Sequence, residues 1–283
     1  MIDGGSGRCL CGAVRYAFDG ASNWQSHCHC ESCRRATASG YTSFLSVDRS
    51  RLRWNGRLSA FASSPGVVRR FCPVCGTQMS YETEERPHET DLYAATLDDP
   101  SGYEPTLHDH WNEHMPWVMP GDRLPRIYTP RLLMPPDDPG PVLQLIRETF
   151  AYMDGRIDPP SSMVRLTEGD IARSAAEGEV WVLDELGQVV ACMVLTIRHD
   201  IVYLGKLAVA DSHRHRGLAR QLVGHAEGRA RALHKGALEL QSRVELTENH
   251  AAFLALGFRK TGETAHAGYD RPTSFTFTKT VGA

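Results

Sequence analysis

Seven of the chain's eight cysteines lie in its first 75 residues, as Cys9-x-Cys11, Cys28-x-Cys30-x-x-Cys33 and Cys72-Pro-x-Cys75-Gly. Thiolates one or two residues apart can close on a single soft tetrahedral ion, and two short pairs brought together by folding complete a four-ligand shell. Seven divides into four plus three. Four sulfurs make a closed structural zinc site, whereas three leave a position open to water or substrate. The three-cysteine set can also borrow His27 or His29 and close itself, making both ions structural. A disulfide framework suits short secreted chains, and this one has 283 residues, no apolar leader over residues 1–20 and an odd count in the cluster. Cys192, inside the apolar run Val189–Ile197, reads as a small core residue.

A second chemistry is written from Leu207 to Leu222, where an apolar strand ends, a polar loop turns and an amphipathic helix begins. Free N–H groups of a first helical turn point toward an anion, the helix dipole adds to their pull, and Gly217 and Ala219 let a pyrophosphate approach the backbone. Arg214 and Arg216 can assist by charge. The plainer alternative is a surface loop with basic residues.

The elements that must position these groups fall into two cores. A hydrophobic fraction of 41%, a net charge of −3 and the lack of any membrane-length apolar stretch argue against general attraction to nucleic acid or to membranes. Free metal-binding thiols fit a reducing compartment, so a cytoplasmic location is expected. The proline-rich stretch around 125–141 predicts a linker at 126–140 between domains at 1–125 and 141–283. Upstream, two-residue alternation in 13–18, 41–47 and 91–97 predicts strands, and no long helical period appears before residue 140. Downstream, helical spacing over Val142–Met153 and Leu218–Leu233 alternates with strands predicted at 180–184, 189–197, 201–209 and 237–244. The first domain is therefore mainly β and the second mixed α/β.

The segments Gly7–Tyr16, His27–Arg35 and Arg70–Thr77 resemble, in order, the glutathione-dependent formaldehyde-activating family. The resemblance implies a folded-over β scaffold in which Cys9, Cys11, Cys72 and Cys75 hold a structural zinc and Cys28, Cys30 and Cys33 hold a second, catalytic zinc. It further implies a carbon–sulfur lyase or S-hydroxymethyl thiol synthase, acting on glutathione or another thiol with formaldehyde. Arg34 and Arg35, just past the third ligand, are candidates to pair with a carboxylate of that thiol.

The phosphate turn, the strand after it and Glu248–Phe258 together resemble the GCN5-related N-acetyltransferase (GNAT) family. This implies acetyl-CoA held by Leu207 and Val209 at a strand edge, by Arg214, His215, Arg216, Gly217, Leu218 and Ala219 at the turn, and by Asn249, with a small amine as acceptor. Members of that family commonly place a proton-donating tyrosine where this chain has Phe253. Tyr269 or His266 in the final loop can replace it, or the thiolate can leave unaided. Glu245 and Glu248 are the nearest candidate bases.

The sequence thus reads as a bifunctional fusion of an acetyl-CoA-dependent N-acetyltransferase with a zinc-dependent lyase-like domain. The alternative is an acetyltransferase whose zinc domain only recognises substrate or stabilises the fold.

Overall fold

Aromatic and β-branched residues at two-residue spacing build the N-terminal unit from short strands. The computed structural model describes residues 1–282, and chain contacts divide it into a unit of Met1–Ile127 and a second beginning at Tyr128. The first unit holds β1 (Asp3–Arg8), β2 (Arg15–Ala21), β3 (Trp24–Cys28), α1 (Glu31–Thr37), β4 (Thr42–Asp48), β5 (Leu52–Asn55), β6 (Ser59–Ser64), β7 (Val67–Phe71), β8 (Gln78–Thr83), β9 (Glu89–Tyr93) and β10 (His108–Asp109). They form a three-stranded sheet, β1-β2-β5, and a seven-stranded sheet, β10-β3-β4-β9-β8-β7-β6. Tyr16, Phe18, Leu45, Val47, Met79 and Leu92 are buried together, and Cys9 and Cys72 belong to the same core.

Two local readings differ from expectation. The helix α1 precedes residue 140 without any long period, because cysteine makes it: Cys30 is its N-cap, and its Sγ accepts from the Cys33 N–H at 3.3 Å. The alternation over 91–97 ends early, since β9 stops at Tyr93 and Ala94–Thr96 coil into a 3-10 turn.

The second unit contains β11 (Arg131–Leu132), α2 (Gly140–Phe150), α3 (Glu168–Glu177), β12 (Glu179–Glu185), β13 (Gln188–Ile197), β14 (Ile201–Val209), α4 (Leu218–Ala232), β15 (Ala237–Arg243), α5 (Thr247–Ala255), β16 (Arg259–Thr264) and β17 (Ser274–Thr280). One sheet runs β11-β12-β13-β14-β15-β17-β16. Within the proline-rich stretch, Arg131 and Leu132 pair with Val182 and Trp181. α4 turns Leu218, Leu222, Val223, Ala226 and Ala230 inward, and α3 opens on a reciprocal Thr167–Asp170 cap.

The parallel junction of β14 with β15 decides the architecture. It spans only Ile201–Tyr203 against Ala237–Glu239, so Leu204–Val209 and Leu240–Arg243 part from each other. β14 also bulges against β13: Cys192 opposes Ala208 and Val194 opposes Gly205, while Lys206 takes φ 49°. A cleft therefore opens in the middle of a continuous sheet.

Leu195 is fully buried on β13. Leu195→Ala is expected to cost the second unit about 2–5 kcal/mol, read as a lower urea midpoint reported by Trp181; an unchanged midpoint would contradict this packing.

Candidate metal centres and coenzyme cleft

The Sγ atoms of Cys9, Cys11, Cys72 and Cys75 all lie within 4.8 Å of one another. Cys9 and Cys11 are 3.5 Å apart and Cys11 and Cys72 3.8 Å. A tetrahedral ion with metal–sulfur bonds of about 2.3 Å sets its ligands about 3.8 Å apart, so these sulfurs fit zinc. Two tight turns present them. Gly76, at φ 74° with open space around it, lets its N–H return to Cys72 O at 2.9 Å, a conformation that a side chain would strain. Thr77 links the turns, its Oγ1 accepting from Leu10 N–H at 3.1 Å and lying 3.1 Å from Cys75 Sγ, which brings the Cys75 thiol down to about 5. All eight cysteines are free of disulfides.

Cys28, Cys30 and Cys33 also gather within 4.8 Å. β3 delivers the first, and α1 delivers the third one turn after its cap. Cys28 and Cys30, then the guanidinium of Arg69, bring the Cys33 thiol down to about 3, whereas Cys28 is pushed up by Cys30 and Cys33. Three sulfurs so close share their charge only with a cation among them, which again fits a soft divalent metal.

Neither histidine named from the sequence joins this set. His27 Nδ1 is 2.9 Å from Ser43 Oγ. His29 is fully buried, its Nε2 2.8 Å from His108 Nδ1, and His108 Nε2 faces the Asp122 carboxylate at 3.1 Å. The imidazole that approaches is His110, with Nδ1 4.0 Å from Cys28 Sγ and 3.1 Å from Asp109 Oδ2. β10 brings it there by running parallel to β3, Asp109 opposite Cys28. The run His108-Asp-His-Trp-Asn-Glu-His114 was a legible signal in its density of imidazoles. Arg69 and Tyr93 carried none, because only burial distinguishes them. Arg34 and Arg35 are engaged within the unit: Arg34 donates to His29 O and meets Met115 Sδ, and Arg35 pairs with Glu31.

In the second unit, Leu207 and Val209 lie on the part of β14 that has lost its parallel neighbour, so alternate N–H groups of that edge face the cleft. Arg214 to Ala219 form the turn into α4. Gly217, at φ 81°, is the helix N-cap; no side chain caps the helix, and the space beside its Cα is open. The first-turn N–H groups are thereby left for an outside acceptor. Arg214 pairs with Asp211 at 2.9 Å, and the turn is pinned to the sheet by a hydrogen bond between the His213 ring and the Glu185 carboxylate on β12.

The remaining candidates disperse. Asn249 on α5 donates to Tyr152 OH at 2.8 Å. Phe253 is half-buried rather than part of the core, its ring packing with those of Phe258 and Phe277. The hydroxyl of Tyr269 donates to Asp158, which raises its pKa, and Arg271 reaches the same carboxylate at 3.1 Å. His266 Nδ1 lies 2.6 Å from Thr273 Oγ1. Glu245 accepts from the Asp158 N–H at 3.2 Å, and Glu248 pairs with Arg156 at 2.6 Å. Cys192 is buried, and burial pushes it up to about 12.

Comparison with known proteins finds a different family in each unit. Residues 5–113 match the glutathione-dependent formaldehyde-activating enzyme family, and residues 142–258 match the acetyltransferase (GNAT) family. An uncharacterized lyase of Schizosaccharomyces pombe is 31% identical over 84 residues, covering 29% of this chain and 61% of that protein. Probable N-acetyltransferase 14 of Danio rerio is 34% identical over 97 residues, covering 33% of this chain and 34% of that protein. The chain thus spans less than two thirds of either relative's length. A solved GNAT family acetyltransferase from Elizabethkingia anophelis, with acetyl-CoA bound, is 15% identical with a TM-score of 0.39, over 54% of this chain and 97% of that one. The N-terminal half resembles the first family, with a mainly β scaffold bearing cysteine clusters, and the C-terminal half, built on a mixed sheet with helices, resembles the second. Among the described residues, no helix is long and apolar enough to cross a membrane.

Stripping metal with a strong chelator is expected to unfold the first unit, seen as lost near-ultraviolet signal, and Cys72→Ser is expected to remove one zinc per chain by elemental analysis.

Proposed function

We propose that the chain is a bifunctional enzyme: an acetyl-CoA-dependent N-acetyltransferase of a small amine, joined to a zinc-dependent carbon–sulfur lyase acting on a thiol and formaldehyde, both in the cytoplasm. The acetyltransferase half rests on one observation, the parting of β14 from β15 beside the uncapped start of α4. Acetyl transfer from a thioester asks for donors toward the carbonyl oxygen and a seat for the pyrophosphate. The exposed edge of β14 at Leu207 and Val209 supplies the first. The N–H groups after Gly217, with Arg214 to Ala219, supply the second, and Asn249 lies on the helix that follows β15. The acceptor amine attacks the thioester carbon as the neutral base and gives up its proton to solvent or to Glu245 or Glu248 as the C–S bond breaks, and the coenzyme sulfur departs either with a proton from Tyr269 or His266 or as the thiolate.

In the other half, Cys9, Cys11, Cys72 and Cys75 would hold a closed structural zinc, and Cys28, Cys30 and Cys33 would hold a second with room for substrate, giving two per chain. Bound there, zinc supplies Lewis acidity and a template for a thiol and an aldehyde. The residues themselves fix α1 and β3 so that the three sulfurs converge, with His110 beside Cys28 and Arg34 against the chain just before Cys30. Glutathione is one candidate for the thiol.

Calorimetry with acetyl-CoA tests the first half, and micromolar binding is the expected result; no binding would sink it. His213→Ala, which unpins the turn from Glu185, is expected to weaken that binding about tenfold. Tyr269→Phe and His266→Ala sort the proton donor, whose loss is expected to lower kcat on the order of 10²-fold with coenzyme affinity kept; unchanged rates in both variants would assign unaided thiolate departure. For the zinc half, Cys30→Ala should abolish thiol–formaldehyde turnover with the fold intact. A variant that only raised the KM of acetylation would instead make this domain a recognition module.

A further inference from the structure

Arg69 lies in the middle of β7 and is 4% exposed. Its Nη2 is 3.5 Å from Cys33 Sγ and donates to Ser32 Oγ at 2.9 Å, and its Nη1 donates to Tyr93 OH at 3.0 Å. The ring of Tyr81 lies 4.9 Å from Cζ, and Nε is buried without an acceptor. No carboxylate lies within ion-pairing distance of this guanidinium among the described residues. A cation taken out of water needs a counter-charge nearby, and the groups at its tip are two hydroxyls and one cysteine sulfur. Three thiolates around a divalent ion carry one net negative charge, which a single guanidinium balances.

The reach of Arg69 is fixed by the chain itself. β7 ends at Phe71 and passes directly into Cys72 of the four-cysteine centre, while the side chain two residues earlier touches the three-cysteine centre. The strand thus carries the charge partner of one centre, and the residue directly after it belongs to the other.

We infer that Arg69 is the positioning residue and counter-charge of the Cys28–Cys30–Cys33 centre, holding Cys33 in place and raising that centre's affinity for metal without touching substrate. The inference rests on the reading that these three cysteines hold a metal. Tyr93 fixes one arm of the fork and Ser32 shares the other, so the guanidinium cannot turn away from the sulfur. Lysine would keep the charge but lose the fork.

The test is cobalt(II) titration of the full-length chain against a competing chelator, following the sulfur-to-metal absorption. Wild type is expected to take up two equivalents. Arg69→Gln should leave the four-cysteine equivalent at its wild-type affinity and weaken the other about 10–100-fold, the range for losing a partner hydrogen-bonded to a metal ligand. Arg69→Lys should lose less. Two equivalents at wild-type affinities in Arg69→Gln overturn the inference alone. A single equivalent in the wild type overturns the metal reading of the three cysteines, and the inference with it. Should Arg69→Gln lose both equivalents by unfolding, Tyr93→Phe decides: a smaller weakening confined to the second equivalent supports the inference, and unchanged affinity overturns it.

Discussion

Sulfur atoms held 3.5 to 3.8 Å apart cannot all carry charge unless a cation lies among them, and the first unit is arranged around that constraint. Cys9 and Cys72 are buried in the same core as Tyr16, Leu45 and Met79. The ends of β1 and β7 are therefore fixed by the same contacts that fill the interior. Small mainly β units are short of apolar area, and a metal held by these four cysteines would offset this by closing two distant turns on each other. The second cysteine set is built differently, on a strand end and the first turn of α1, where one sulfur caps the helix that carries another.

The acetyltransferase-like unit depends on the opposite principle, a place where bonding is withheld. Seven strands form one sheet, yet the parallel ladder between β14 and β15 lasts for three residue pairs. Past it, the backbone edge of β14 is unpaired on that side. Such an edge ordinarily invites aggregation; here it lies inside a sheet, flanked by the start of α4. The Lys206 bulge sharpens the bend of β14, and the His213–Glu185 pair holds the following turn against β12. Donors that the fold leaves unsatisfied are open to an acceptor from outside the sheet.

Legibility followed chemistry and periodicity. The cysteine spacing divided seven sulfurs into four and three, the family resemblance assigned Cys9, Cys11, Cys72 and Cys75 to one group and Cys28, Cys30 and Cys33 to the other, and the same groups stand together in space. Four of the second unit's seven strands were read almost to the residue, with 201–209 matching β14 in full, because long apolar runs between turn signals leave little choice of period, whereas β11, β16 and β17 were not read. Short elements escaped: α1 has only seven residues and is capped by a metal-ligand type instead of serine or aspartate, and α5 has no buried residue to give it an apolar stripe. At Phe253 the sequence showed that a hydroxyl was missing but not that the ring packs with Phe258 and Phe277.

By itself the sequence determined which residue types could bind metal and phosphate, where apolar periodicity changes from strand to helix, and that two units of different pattern share one chain. These follow from spacing along a backbone of fixed geometry. Tertiary structure alone decided which groups face one another across long separations: His110 beside Cys28 through the parallel pairing of β10 with β3, Arg69 against Cys33, and Tyr269 bound to Asp158. Each of these depends on register and burial, and a one-residue shift in a strand would turn every such side chain to the other face.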